Sequence, residues 1–100
     1  MEFKEIFRLE DMLREKKIPY YLVPLRDGCQ IIFPSLKMRL SDVIECTGSY
    51  GAERDTLEMM GLLSKEEMDQ AGDCAIGGFT AEEVCARWEK KWKEISKEGI

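Results

Sequence analysis

The stretch VIECTGSYGAERD, Val43 to Asp55, places several side chains that could do chemistry close together. Ser49 and Tyr50 supply hydroxyls, Arg54 a cation, and Glu45, Glu53 and Asp55 carboxylates, with Gly48 and Gly51 bracketing the hydroxyls. A glycine-rich turn can aim backbone amides at an anion. A nucleotide-type phosphate loop, however, needs G-x-x-x-x-G-K-[ST], and neither that spacing nor its lysine is present. Three carboxylates against one arginine also oppose an anion. The spacing therefore predicts a strand connection in which Gly48 and Gly51 take φ > 0 and Tyr50 is carried on the turn. Loops on rigid scaffolds are where binding concentrates, so Ser49, Tyr50 and Arg54 are the candidate binding residues.

A second glycine-rich stretch, DCAIGGF (residues 73–79), precedes Thr80-Ala81-Glu82-Glu83. Paired glycines before a helix N-terminus can receive an anion. Here Thr80 and Glu83 fit a capping box and Glu82 adds negative charge, which predicts a tight lead-in to a helix. Carboxylate pairs for acid–base work can be drawn from Glu66, Glu67, Asp69, Glu82 and Glu83, but all fall in or near helix first turns, where the dipole favours acids anyway. The chain has no histidine, which removes Ser-His and Cys-His nucleophile pairs and every His-ligated metal site. Its four cysteines, Cys29, Cys46, Cys74 and Cys85, sit singly with no C-x-x-C, and they read as reduced, small packing residues. No metal, cofactor or catalytic residue is expected. The residues point away from an enzyme.

The net charge of −5 is unevenly spread. Asp42 to Glu83 holds eleven acids and two bases, a net of −9, and the two flanks are each mildly basic. An acidic middle repels a phosphate backbone and excludes nucleic-acid binding through a basic patch. Apolar runs such as IPYYLVPL are too short to span a bilayer, and the charged N-terminus has no apolar signal-peptide core. A cytoplasmic protein is expected. Two functions fit: a non-catalytic protein that engages a protein partner through its acidic surface, or a binder of small ligands. The ligand pocket would lie near the Gly-Ser-Tyr-Gly loop or at a homodimer interface.

Around these residues the pattern predicts an α+β fold in one domain, residues 1–100. Residues 3–17 show helical spacing through Phe3, Ile6, Phe7, Met12 and Leu13, with Leu9 offset from that stripe, and Pro19 ends the run. YYLVPL and CQIIFP flank Asp27-Gly28, a hairpin signal that predicts a two-residue type I′ turn, with Pro24 either on an edge strand or on a free side of its strand. SDVIECT predicts a third strand. TLEMMGL predicts a fourth rather than a helix, because Gly61 weakens a helix. Two S/T-x-x-E boxes then open helices at Ser64 and Thr80, the second running to about Ser96 with Val84, Cys85, Trp88, Trp92 and Ile95 on one stripe. The expected architecture is an N-terminal helix, a small antiparallel sheet of three or four strands, and two C-terminal helices.

The stretches EIFRLEDMLREKKIPYYL, GCQIIFP, SDVIECTGSYG, LEMMGLLSKEE and GGFTAEEVCARW, nearly the whole chain, resemble a family of small uncharacterised proteins from prophages and other mobile elements of Firmicutes. The resemblance implies a phage-type accessory protein in a bacterial cytoplasm. It implies no catalytic residue and no ligand.

Overall fold

The computed structural model describes residues 2–97 as an α+β fold of three helices and one five-stranded antiparallel sheet. The order is α1 (Glu5–Glu15), β1 (Tyr21–Pro24), β2 (Cys29–Pro34), β3 (Arg39–Glu45), β4 (Leu57–Met60), α2 (Lys65–Ala71), β5 (Ala75–Phe79) and α3 (Ala81–Lys97). A single 3-10 turn, Ala52–Arg54, lies between β3 and β4. The strands sit side by side in chain order, β1 to β5.

The fifth strand corrects the expected count. The segment read as a helix lead-in, residues 73–79, supplies β5, paired with β4 through Leu57 opposite Phe79, Met59 opposite Ile76 and Met60 opposite Ala75. Two consecutive glycines hide a strand from propensity because they bring no side chain to pack on a pleated surface. β4 is the strand expected at residues 56–62, and β3 starts two residues earlier than expected, at Arg39.

The β1–β2 hairpin forms where Asp27-Gly28 signalled it, but with a different turn. Pro24 faces Cys29 across the ladder, so the loop has four residues, closed by the Leu25 amide donating to the Gly28 carbonyl at 3.0 Å. Neither Asp27 nor Gly28 has positive φ. Gly28 is required for a different reason: a Cβ there would lie 1.9 Å from the Glu45 carbonyl oxygen of β3. β1 is an edge strand, which accommodates Pro24 as expected.

In α1 the buried stripe is Ile6, Leu9 and Leu13, so Leu9, expected off the stripe, is part of it. Phe7, expected on that stripe, is 48% exposed, because one helical position rotates a side chain by about 100°. The helix ends with Lys17 in the left-handed region (φ 58°) and the Ile18 amide returning to the Leu13 carbonyl, just ahead of Pro19. Both capping boxes form. The Ser64 and Thr80 hydroxyls accept from the Glu67 and Glu83 amides, and each carboxylate accepts in return from the cap amide. From α3, Val84, Cys85, Trp88 and Ile95 are buried and Trp92 is partly so. Trp88 stacks on Phe33 of β2 with ring centroids 5.1 Å apart, which joins α3 to the sheet beside α1.

The cysteines divide. Cys29 and Cys85 are buried as expected, and burial pushes the Cys29 thiol up to about 11. Cys46 is half-buried and Cys74 is exposed, so Cys74 is not a packing residue. Its strand begins one residue later, at the sheet edge. Among the described residues no helix is long and apolar enough to cross a membrane.

Candidate functional site

The Gly-Ser-Tyr-Gly loop is built as a closed corner. Gly48 (φ 91°) and Gly51 (φ 89°) both take the left-handed conformation expected of them. The Ser49 hydroxyl is buried, donating to the Cys46 carbonyl at 2.8 Å and accepting from the Cys46 amide at 3.1 Å. The Ser49 amide donates to the Cys46 carbonyl and the Tyr50 amide to Glu58 Oε1 at 2.8 Å, so neither is turned outward to meet an anion. The Gly51 carbonyl accepts from the Thr56 hydroxyl (2.8 Å) and from the Thr56 and Arg54 amides. Arg54 is exposed and forms no ion pair among the described residues. A depression of about 400 Å³ beside the loop is lined by Phe3, Ser49 and Tyr50 but not by Arg54. The three candidate residues are therefore neighbours in the chain without converging on one point.

The two glycine pairs meet. A Cβ on Gly51 would lie 2.1 Å from the Thr56 hydroxyl and 2.8 Å from the Gly78 amide, and one on Gly77 would lie 2.4 Å from the Tyr50 carbonyl. Glycines in β5 thus let the loop lie directly on the strand. Gly51→Ala combines this clash with an unfavourable φ and is expected to destabilise by about 1–3 kcal/mol. Gly48→Ala, with no atom within 4 Å of the added Cβ, should cost only the conformational part, about 1 kcal/mol. Urea midpoints of the two variants check this; equal midpoints would mean that the Gly51 contact contributes nothing.

Tyr50 belongs to a larger surface. Ile31, Val43 and Met59 face the helices, so alternate residues face the other way. The register aligns Tyr21, Ile32, Asp42, Met60 and Ala75 in one row across all five strands, with Val23, Gln30, Ile44 and Glu58 in the row beside it. Tyr21 (47%) and Met60 (41%) are exposed while Ile32 between them is buried. Tyr50 lies over Gly77 on this same face, 52% exposed, with its hydroxyl 3.4 Å from Asp73 Oδ2. α2 and α3 are tied together on the opposite side through Arg87, which pairs with Glu67 and stacks over Phe79.

The acids of the middle segment have distinct fates. Glu67 pairs with Arg87, which holds it down to about 2, and Glu82 pairs with Arg8. Glu83 caps α3, together with Glu5, whose Oε2 accepts from the Ala81 amide at 2.6 Å. The N-terminus of α3 thus carries the chain's own carboxylates where an anion would bind. Asp55, in the left-handed region (φ 54°), accepts from the Lys4 and Glu5 amides at the start of α1. Glu53, Glu66 and Asp69 are exposed.

Sequence reasoning missed Glu45. It is fully buried, and its Oε1 accepts from the Ile6 amide at 3.1 Å. Its Oε2 accepts no hydrogen bond among the described residues, which a protonated carboxyl resolves by donating to the Asp55 carboxylate. Burial, and then the Asp55 contact, push the Glu45 carboxyl up to about 8. Burial also raises Asp55, but the hydrogen bonds from Glu45 and from the Glu5 and Lys4 amides outweigh it and bring Asp55 below its ordinary value. A signal was present in the chain: Ser41, Val43 and Glu45 alternate, so Glu45 shares the core face with Val43. A perturbed carboxyl often marks a reacting group. This one is sealed from solvent and accepts from the Ile6 amide in the first turn of α1, which it caps.

No protein-family description, curated protein or solved structure matches this chain.

Proposed function

We propose that this chain is a small non-catalytic accessory protein of the phage or mobile-element type, working in a bacterial cytoplasm by protein–protein interaction through an acidic surface. The context comes from the resemblance alone. The observation that carries the interaction is the helix-free sheet face, where exposed Tyr21, Tyr50 and Met60 surround the carboxylates of Asp42 and Glu58, which have no lysine or arginine partner among the described residues. Exposed aromatic and methionine side chains on a rigid sheet are the anchors that interfaces favour. The buried, doubly bonded Ser49 hydroxyl supports a structural role for that residue rather than a reacting one. A second reading, a small-ligand binder, draws on the 400 Å³ depression beside the loop. The first is favoured because Ser49, Tyr50 and Arg54 do not converge there.

Affinity capture from a bacterial lysate, with the folded chain as bait, tests the proposal. A protein retained at low salt and released at high salt is the expected result, because exposed charge contacts are screened. Capture of no protein at any ionic strength would overturn it.

A further inference from the structure

We infer that the helix-free face of the sheet is the docking surface for a protein segment that is apolar and basic on its contacting side, an inference that rests on the interaction reading above. Asp42 and Glu58 stand on adjacent strands and both project from this face. Asp42 faces Met60 and Glu58 faces Ile44, so the two acids are diagonal neighbours about 7–8 Å apart. Each is oriented by a neutral donor: Gln30 Nε2 donates to Asp42 at 2.9 Å and the Tyr50 amide to Glu58 at 2.8 Å. Such bonds hold a carboxylate in place and leave its charge. Neither acid has a lysine or arginine partner among the described residues, and neither row contains a basic residue.

Glu53, Glu66, Asp69 and Asp73 are exposed and also form no ion pair among the described residues, but they lie outside the two rows of this face. Glu67 and Glu82, on the helices, have their arginines. The sheet face keeps two fixed negative charges among Tyr21, Ile44, Met60 and Tyr50, and a partner must supply the cations.

A second copy of this chain is the wrong occupant. A two-fold contact through this face would set Asp42 and Glu58 against their own images in a desolvated interface, where like charges oppose association. A phosphate backbone is repelled for the same reason. An extended segment, by contrast, places residues i and i+2 on one side about 6.8 Å apart, which matches the separation of the two acids. Two basic residues at that spacing, flanked on the same side by apolar ones, would meet both carboxylates while covering Tyr21 and Met60.

The test is an amide-shift titration of isotopically labelled protein with a capped Ile-Ser-Lys-Ser-Lys-Ser-Ile peptide and its counterpart with glutamate in place of lysine. The lysine peptide is expected to move Tyr21, Asp42, Ile44, Glu58 and Met60. Affinity should fall about tenfold in the Asp42→Asn, Glu58→Gln double variant, which keeps both acceptor oxygens. An unchanged urea midpoint shows that the variant folds. Shifts centred on Glu53, Glu66 and Asp69, an equal response to the glutamate peptide, no shift at millimolar lysine peptide, or self-association through the same residues would each overturn the inference. If the double variant still captures the lysate protein, the docking face is wrong and the interaction reading stands. If neither form captures any protein, the interaction reading itself fails.

Discussion

Trp88→Ala is expected to destabilise the protein by about 3–5 kcal/mol, the range for a fully buried aromatic cut back to a methyl group. Trp88 is completely buried and lies nearly parallel to Phe33, 12° between planes, where α3 meets the sheet. Ile6, Leu9 and Leu13 of α1 belong to the same core, so the cavity would open between α3, α1 and the sheet. The indole also carries a cost, since its buried Nε1 has no hydrogen-bond partner among the described residues. Trp88→Phe removes that orphan donor along with some packing, and should therefore cost less than about 1.5 kcal/mol. Urea unfolding of the two variants separates the contributions. An alanine variant with an unchanged midpoint would show that the α3–sheet contact is not where the core's stability lies.

Glu45→Gln is expected to remove most of the pH dependence of stability between about pH 5 and 8. The folded pKa of Glu45 stands near 8 against an ordinary value of 4.5, so the folded state holds a proton that the unfolded chain gives up. Stability from this group is complete below pH 4.5, declines as pH rises, and is lost once pH passes about 8. The loss at alkaline pH is on the order of 3–5 kcal/mol. Glutamine is neutral throughout, keeps an oxygen for the Ile6 amide and offers an N–H to Asp55. The wild type should thus lose urea resistance from pH 5.5 to 8.5, whereas the variant should stay nearly level and exceed it at the alkaline end. Parallel pH profiles for the two proteins would mean that Glu45 is ionised in the fold.

Much of the architecture was legible because it depends on neighbours in the chain. Both capping boxes close within four residues, so Ser64 and Thr80 marked the starts of α2 and α3 without any knowledge of packing. The positive φ of Gly48 and Gly51 was legible for the same reason, since a tight corner needs residues without a Cβ whatever surrounds it. Pro24 pointed to an edge position for β1 because a residue without an N–H is tolerated where that side of the strand has no ladder to complete. In each case a short-range steric or hydrogen-bond rule decided the outcome.

Other features depended on residues far apart in the chain, and only the tertiary structure decided them. Gly77 and Gly78 read as a helix lead-in because the reason for them, the Tyr50 loop lying on β5, involves a segment more than twenty residues away. Gly28 read as a turn residue, but what excludes a side chain there is the Glu45 carbonyl on the neighbouring strand. The capping of α1 by Glu45 and Asp55, and of α3 by Glu5, joins residues about forty to seventy-six positions apart. An acidic run in the sequence looks uniform, because a carboxylate's burial, partner and charge state are set by what folds against it. By itself the sequence determined that this is an α+β chain, with no histidine chemistry, an acidic middle, and a glycine corner after the third strand. Folding decided which acids cap helices, which pair with arginine, and that Asp42 and Glu58 stand on the open sheet face without a lysine or arginine partner among the described residues, because electrostatic environment is a property of three-dimensional neighbours and solvent exposure.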